Sequence, residues 1–185
     1  MKKVGLYAAM LALGMSTAAQ ANEGIYVGAN VLFGAETEFE ISGFAVSEGA
    51  DVGFDFLVGY QMPLSDYVDL GMELEFRSFG EANFSNVLTL EGSAFYFNAK
   101  PKFYVDDARS FYVAGLVGFG SMDIELKTAT DSASDSDSSI QFGVEAGYEM
   151  ESGLGLSLGY KSATAEIQTI DFTTDGFYAG VSYRF

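Results

Sequence analysis

The sequence predicts an all-β protein, an eight-stranded antiparallel up-and-down barrel that crosses a membrane on its strands. Three observations predict it: side chains alternate with period two through most of the chain, connections alternate between short and long, and the composition suits strands and tight turns. Of 185 residues, 17 are Phe, 11 Tyr and 22 Gly against only 2 Pro, and hydrophobic residues make up 49%. One domain is the natural count for this length.

The same inventory excludes several chemistries. With no Cys there is no disulfide framework and no thiolate nucleophile, and with no His there is neither a Ser-His-Asp triad nor an imidazole metal site. A net charge of −17 repels phosphate backbones, so no nucleic-acid partner is expected.

Lys2 and Lys3 precede the uncharged run Val4 to Met15, and the small residues that follow end in Ala19-Gln20-Ala21. That is the order of a signal peptide, so residues 1–21 are expected to be removed after Ala21, leaving 22–185 as the barrel domain. Removal takes two lysines and no acid, deepening the charge from −17 to −19. The leader's apolar run, and every later one, falls short of the roughly 20 residues that a membrane helix needs. An exported chain of this kind is either soluble or membrane-spanning as a barrel.

The first strand, about Gly24 to Ala35, sets Ile25, Val27, Ala29, Val31 and Phe33 against Tyr26, Gly28, Asn30, Leu32 and Gly34. From Asp51, Val52, Phe54, Phe56, Val58, Tyr60 and Met62 share one face, with Gly53, Asp55, Leu57, Gly59 and Gln61 on the other. After a turn at Pro63-Leu64-Ser65-Asp66 come Val68, Leu70, Met72, Leu74 and Phe76 against Asp69, Gly71, Glu73, Glu75 and Arg77, completing a hairpin. Two less regular strands follow, about Leu88 to Tyr104 and Phe111 to Leu126. A second hairpin sets Ile140, Phe142, Val144, Ala146 and Tyr148 against Gln141, Gly143, Glu145 and Gly147, then Leu154, Leu156, Leu158 and Tyr160 against Gly155, Ser157, Gly159 and Lys161. The last strand carries Phe177, Ala179, Val181, Tyr183 and Phe185 opposite Tyr178, Gly180, Ser182 and Arg184.

Long connections are expected near residues 36–50, 80–86, 127–139 and 163–172, and short ones at 63–66, 106–110 and 151–153, so the short turns share one rim. The segment 128–139 is polar, low in complexity and expected to be a loop.

Alternation alone does not say which face points out; volume does. An eight-stranded barrel has an interior only just wide enough to be filled by side chains, and the Phe, Leu, Met and Tyr face would overfill it. The opposite face of Gly, Ser, Asn and a few charges fits inside. With lipid outside, closure of the sheet satisfies backbone groups that hydrocarbon cannot, so the membrane barrel is preferred over a soluble lipocalin-like one. Tyr60, Tyr148, Tyr183 and Phe185 then fall near the short-turn interface, which amphipathic rings favour. The Gly59-Tyr60, Gly147-Tyr148 and Gly159-Tyr160 pairs read as small residue in, ring out, rather than as phosphate loops.

This pattern, with Phe177, Ala179, Val181, Tyr183 and the terminal Phe185 at alternate positions, resembles the small eight-stranded outer-membrane barrels. That group contains the OmpA transmembrane domain, OmpX, Ail and the opacity proteins. The resemblance implies a Gram-negative outer-membrane location and a C-terminal strand recognised by the outer-membrane assembly machinery. It carries over no cell-wall tethering, since nothing after Phe185 matches the peptidoglycan-binding domain of full-length OmpA. It carries over no acyl-transfer or phospholipase activity either, since the related enzymes depend on a His.

Two constellations stand out. Asp55, Glu73, Glu75, Arg77, Lys100, Glu145, Lys161 and Arg184 face inward, and cross-strand ion pairs are expected between Glu73 or Glu75 and Lys100, and between Glu145 and Lys161. They make either a polar pore or gate or an electrostatic plug; the narrow bore favours the plug. Sugar hydrolysis by Glu73 and Glu75 is disfavoured, because residues inside a filled barrel meet no glycan. At the long-loop rim, 15 acids (Glu36, Glu38, Glu40, Glu48, Asp51, Glu81, Glu91, Asp123, Glu125, Asp131, Asp135, Asp137, Glu166, Asp171, Asp175) face one base, Lys127. Divalent cations bridging to lipopolysaccharide, or basic ligands, are the candidate partners of these loops; the bland reading is a solvated surface. Asp131, Asp135 and Asp137 lack the Gly and terminal Glu of an EF-hand, so no dedicated metal site or cofactor is expected.

The expected function is therefore that of a non-enzymatic integral outer-membrane barrel presenting acidic surface loops in a structural or surface-interaction role. The alternative is a narrow porin-like channel for small solutes.

Overall fold

Period-two alternation needs a partner on each side of every strand before it is stable in lipid, and the chain supplies one by closing on itself. The computed structural model describes residues 23–41, 44–84, 88–128, 132–167 and 170–185; the expected leader lies outside them. Its strands are β1 (Gly24–Ile41), β2 (Phe44–Ala50), β3 (Gly53–Ser65), β4 (Val68–Phe84), β5 (Leu88–Tyr104), β6 (Phe111–Thr128), β7 (Ser132–Glu149), β8 (Leu154–Ile167) and β9 (Ile170–Arg184). All pairings are antiparallel, and β1 meets β9 from Tyr26 opposite Arg184 to Glu40 opposite Asp171, which closes the sheet.

Nine strands make eight staves. β2 pairs with the far half of β1 and β3 with the near half, so these two are one stave interrupted at Asp51 and Val52. The architecture is the expected all-β, closed eight-stranded barrel. Short turns join β3 to β4, β5 to β6 and β7 to β8 at one end, where Arg109 and Gly153 adopt positive φ angles of 53° and 87°.

The orientation of the faces follows the volume argument. Leu74 and Phe142 are each 61% exposed on the outer wall, whereas Asp55 and Glu75 are 0% and 1% exposed inside. Above the apolar belt the outward positions become Ser: Ser78 lies opposite Ser93, and Ser121 opposite Ser138.

The long connections differ from expectation. Most of residues 36–50, 80–84, 127–128, 132–139 and 163–172 are paired strand, so the barrel extends upward as a β-structured collar. Hydropathy alternation stops where the lipid stops, but backbone hydrogen bonding does not depend on it. In place of a polar loop over 128–139, Ser132 to Ser139 pair with β6.

Two ladders end early. Among the described residues, β2 meets β4 only at Ala50 opposite Ala82, and β7 meets β8 no higher than Ser139 opposite Ala165. Among the described residues, the collar therefore divides into a β8-β9-β1-β2 sheet and a β4-β5-β6-β7 sheet. Ala94, Tyr96, Met122 and Ile124 of one pack with Ala163, Ala165 and Phe172 of the other, with Ala50 and Phe79 at the edge of the cluster. This apolar core gives the collar its own reason to fold.

Candidate functional site: a filled lumen beneath an acidic collar

The inward faces of the staves deliver polar side chains to the axis, as many as four charged ones from β4 alone, and they assemble in three tiers. In the upper tier Lys161 Nζ lies 3.0 Å from Asp55 Oδ2 and 3.2 Å from Glu75 Oε1, while Arg77 Nη2 pairs with Glu75 Oε1 at 2.7 Å. Asn98 and Gln141 donate to Glu75 Oε2 at 2.7 Å and 3.3 Å, and Asn30 donates to Asp55.

In the middle tier Lys100 Nζ is 2.5 Å from Glu73 and 3.6 Å from Glu145. Three inward tyrosine hydroxyls complete it at 2.7 Å: Tyr26 donates to Glu73, and Tyr112 and Tyr178 donate to Glu145. These rings need room. A Cβ on Gly59 would lie 2.6 Å from the Tyr26 ring, and one on Gly147 would overlap Tyr112. The Gly-Tyr pairs therefore do more than place a ring outside: their glycines seat rings contributed by neighbouring staves.

In the lower tier Lys102 Nζ reaches Glu149 at 2.6 Å and Gln61 Oε1 at 2.8 Å, and Arg184 Nη1 reaches Glu149 at 2.9 Å. Arg109, from the β5-β6 turn, pairs with Asp69 and donates to the carbonyls of Ser65 and Asp66, tying two turns together beneath the mouth.

Of the eight inward charges expected, seven are buried and Arg184 is half-buried at the mouth. One expected pairing is different: Lys161 joins Asp55 and Glu75 across the bore rather than Glu145, which joins Lys100. Neighbouring staves suggest nearest partners, but long side chains in a narrow bore reach across it. The network also takes in Asp69, Lys102, Glu149 and Arg109, beyond the eight charges expected. The first three continue the inward alternation of β4, β5 and β7, Lys102 by one step and Asp69 and Glu149 by two, so the sequence carries their signal. Arg109 sits on a turn, where alternation carries no information.

The lumen is charge-balanced. Asp55, Asp69, Glu73, Glu75, Glu145 and Glu149 face Arg77, Lys100, Lys102, Arg109, Lys161 and Arg184. Among the described residues no buried side-chain nitrogen or oxygen lacks a hydrogen-bond partner. The apolar collar core lies on top of this filled polar column.

The six bases named use up every Lys and Arg after residue 21 except Lys127, so the remaining acids dominate the outer surface. On the collar the register sets Glu36 opposite Asp175, Glu91 opposite Glu125 and Glu166 opposite Asp171, so acids stand opposite acids along the ladders. Asp135 and Asp137 are exposed on β7, and Asp131 lies outside the described residues. Among the described residues no group of three or more acids is arranged to hold a metal ion.

On β9, Phe177, Ala179, Val181, Tyr183 and Phe185 all point outward. Phe177 stacks near Phe33 with ring centroids 6.3 Å apart, and Phe185 N donates to Ile25 O at 3.0 Å, so the chain end is stitched into the closing seam.

The fold is similar to that of several solved barrels. The attachment invasion locus protein Ail of Yersinia pestis aligns with a TM-score of 0.57 at 18% identity, covering 88% of this chain and 99% of that one. Neisserial surface protein A aligns at 0.62 and 13% identity, covering 88% and 97%. The N-terminal barrel of Pseudomonas aeruginosa OprF aligns at 0.51 and 10% identity, covering 87% and 99%. These likenesses concern the fold. No curated protein sequence matches the chain. A family model described as the outer membrane protein beta-barrel domain matches residues 5–185, and the chain belongs to that family.

Proposed function

We propose that this outer-membrane barrel is a non-enzymatic scaffold with a closed lumen, presenting an acidic collar at the cell surface for envelope integrity or surface interaction. The observation that carries the reading is the pairing of six lumenal carboxylates with six cations beneath an apolar core. A column of paired charges with its hydrogen bonds satisfied leaves no continuous water path, and breaking one pair would strand a buried charge. Ail has been solved with the heparin analogue sucrose octasulfate. The collar here has the sign that repels a polyanion, so its partners are cationic: divalent ions bridging to lipopolysaccharide, or basic ligands.

Residues 1–21 are the export signal, cleaved after Ala21, and the outward β9 residues ending in Phe185 are what the assembly machinery reads. Mass spectrometry of the membrane-embedded protein should find Asn22 at the N-terminus. Planar-bilayer recording of the refolded mature protein tests the closed lumen. No stable unitary current is expected; stepwise currents that change in Glu73→Gln, Glu75→Gln or Glu145→Gln would establish the narrow channel instead.

A further inference from the structure

Just above the upper tier the barrel wall is irregular on two neighbouring staves. The β2-β3 stave is interrupted at Asp51 and Val52, and the β1-β9 register shifts between Phe33 and Glu36. Irregularities of this kind re-aim side chains and are common beside sites. Next to both lies a cavity of about 10 Å³, room for a single small occupant. Leu32 and Phe79 wall it on the apolar side, Arg77 and Lys161 on the charged side, and Thr174 borders it from β9. Gly53 and Gly176 line it from inward positions without a side chain to fill it. Neighbouring backbone leaves little room for one: a Cβ would lie 2.7 Å from Ser78 O at Gly53 and 3.1 Å from Ala35 Cα at Gly176.

The polar atoms bordering this cavity are short of partners. Arg77 is 1% exposed, and its Nε and Nη2 donate to Glu75 and Gln141, whereas Nη1 has no acceptor among the described residues. Lys161 Nζ directs two hydrogens to Asp55 and Glu75 and keeps a third. Thr174 is buried, and its hydroxyl has no partner among the described residues either. Every fully enclosed side-chain nitrogen and oxygen among those residues is hydrogen-bonded, so the groups left over are the ones that reach the cavity. Asp175 borders it too, but from an outward position that alternates with Thr174 and Gly176.

The lining is therefore rich in donors: guanidinium N–H, ammonium N–H and a hydroxyl. A cation would be repelled, and water would bring two hydrogens for which the side chains offer few acceptors. An anion only accepts, and charge-assisted hydrogen bonds are the strong ones. Asp55 and Glu75 already balance the two cations, so an anion adds net charge and binds weakly, held by direct contact with both cations beside an apolar wall.

We infer that this cavity is a binding site for a small monovalent anion of halide size, held by Arg77, Lys161 and Thr174. The site belongs to the lumen and is separate from the acidic surface of the collar.

The test uses the refolded mature protein. Crystals soaked in bromide should show an anomalous peak between Arg77 Nη1 and Lys161 Nζ. In solution, chloride replaces gluconate, which is too large for the cavity, at an ionic strength held constant to remove general screening. The equilibrium constant for urea unfolding should then fall about tenfold once chloride reaches about ten times its dissociation constant. Arg77→Lys keeps a cation for Glu75 but takes Nη1 away, and Thr174→Val removes the hydroxyl at nearly constant volume. Each should lose most of the chloride response. Mobility on unboiled gels reports that each variant is folded, and the bromide peak and Thr174→Val carry the test if Arg77→Lys fails to fold.

Density in the cavity with no bromide signal, together with an unfolding constant indifferent to chloride, would overturn the site and assign it to water. A bromide peak without a chloride response would mean binding at crystal concentration only, and would overturn it as well. A chloride response that survives in both variants would place the anion elsewhere.

Discussion

At the scale of single residues, glycine positions divide by what lies next to them. Gly147 lies under the Tyr112 ring, whereas Gly115 faces outward with nothing within 4 Å of where its Cβ would be. Gly147→Ala should therefore cost about 1–3 kcal/mol through overpacking, and Gly115→Ala should leave the midpoint of urea unfolding unchanged. The gel shift between folded and unfolded forms reads both. The tyrosines matter beyond volume, since Tyr26, Tyr112 and Tyr178 give Glu73 and Glu145 the neutral donors that their single shared Lys100 cannot supply. A lumen this narrow accommodates six carboxylates only because each has several partners.

At the scale of the element, each strand changes role along its length. β4 shows it: Asp69 at the lower mouth, Glu73 and Glu75 in the column, Arg77 beneath the cap and Phe79 against the collar core, all on one face. Its other face runs Leu70, Met72, Leu74 and Phe76 against lipid before Ser78 marks the boundary. Leu74→Arg, at mid-belt, should cost about 2–4 kcal/mol and lower the yield of refolding into vesicles. Ser78→Arg, four positions higher, should cost much less, because depth rather than exposure sets the penalty. The inward face of β4 was readable from alternation. The pairing of its charges was not, because register shows which staves are neighbours and not how far a Lys or Arg reaches across the bore.

At the scale of the whole molecule, two kinds of interior are stacked on one axis. The membrane part closes by pairing β1 with β9 and fills with balanced charge; the collar splits into two sheets and fills with apolar side chains. Two cores held by different forces predict two units of opening. Ile124→Ala, in the collar core, should remove about 2–5 kcal/mol locally. Hydrogen exchange should then show lost protection in β5 and β6 above Ser93 and Ser121 and unchanged protection in the belt; uniform loss would mean that the two cores open together.

The amino-acid sequence by itself determined the all-β class, the eight staves, the outward direction of Phe54, Leu74, Phe142 and Leu156, and the burial of most lumenal charges. Each follows from period-two alternation and from the volume that an eight-stranded interior can hold. Only the tertiary structure decided that the rim segments are strands, that the collar divides at the β2-β4 and β7-β8 seams, and that Lys161 joins Asp55 and Glu75. Those outcomes depend on backbone pairing beyond the lipid and on contacts across the axis, and neither leaves a periodic mark in the order of side chains.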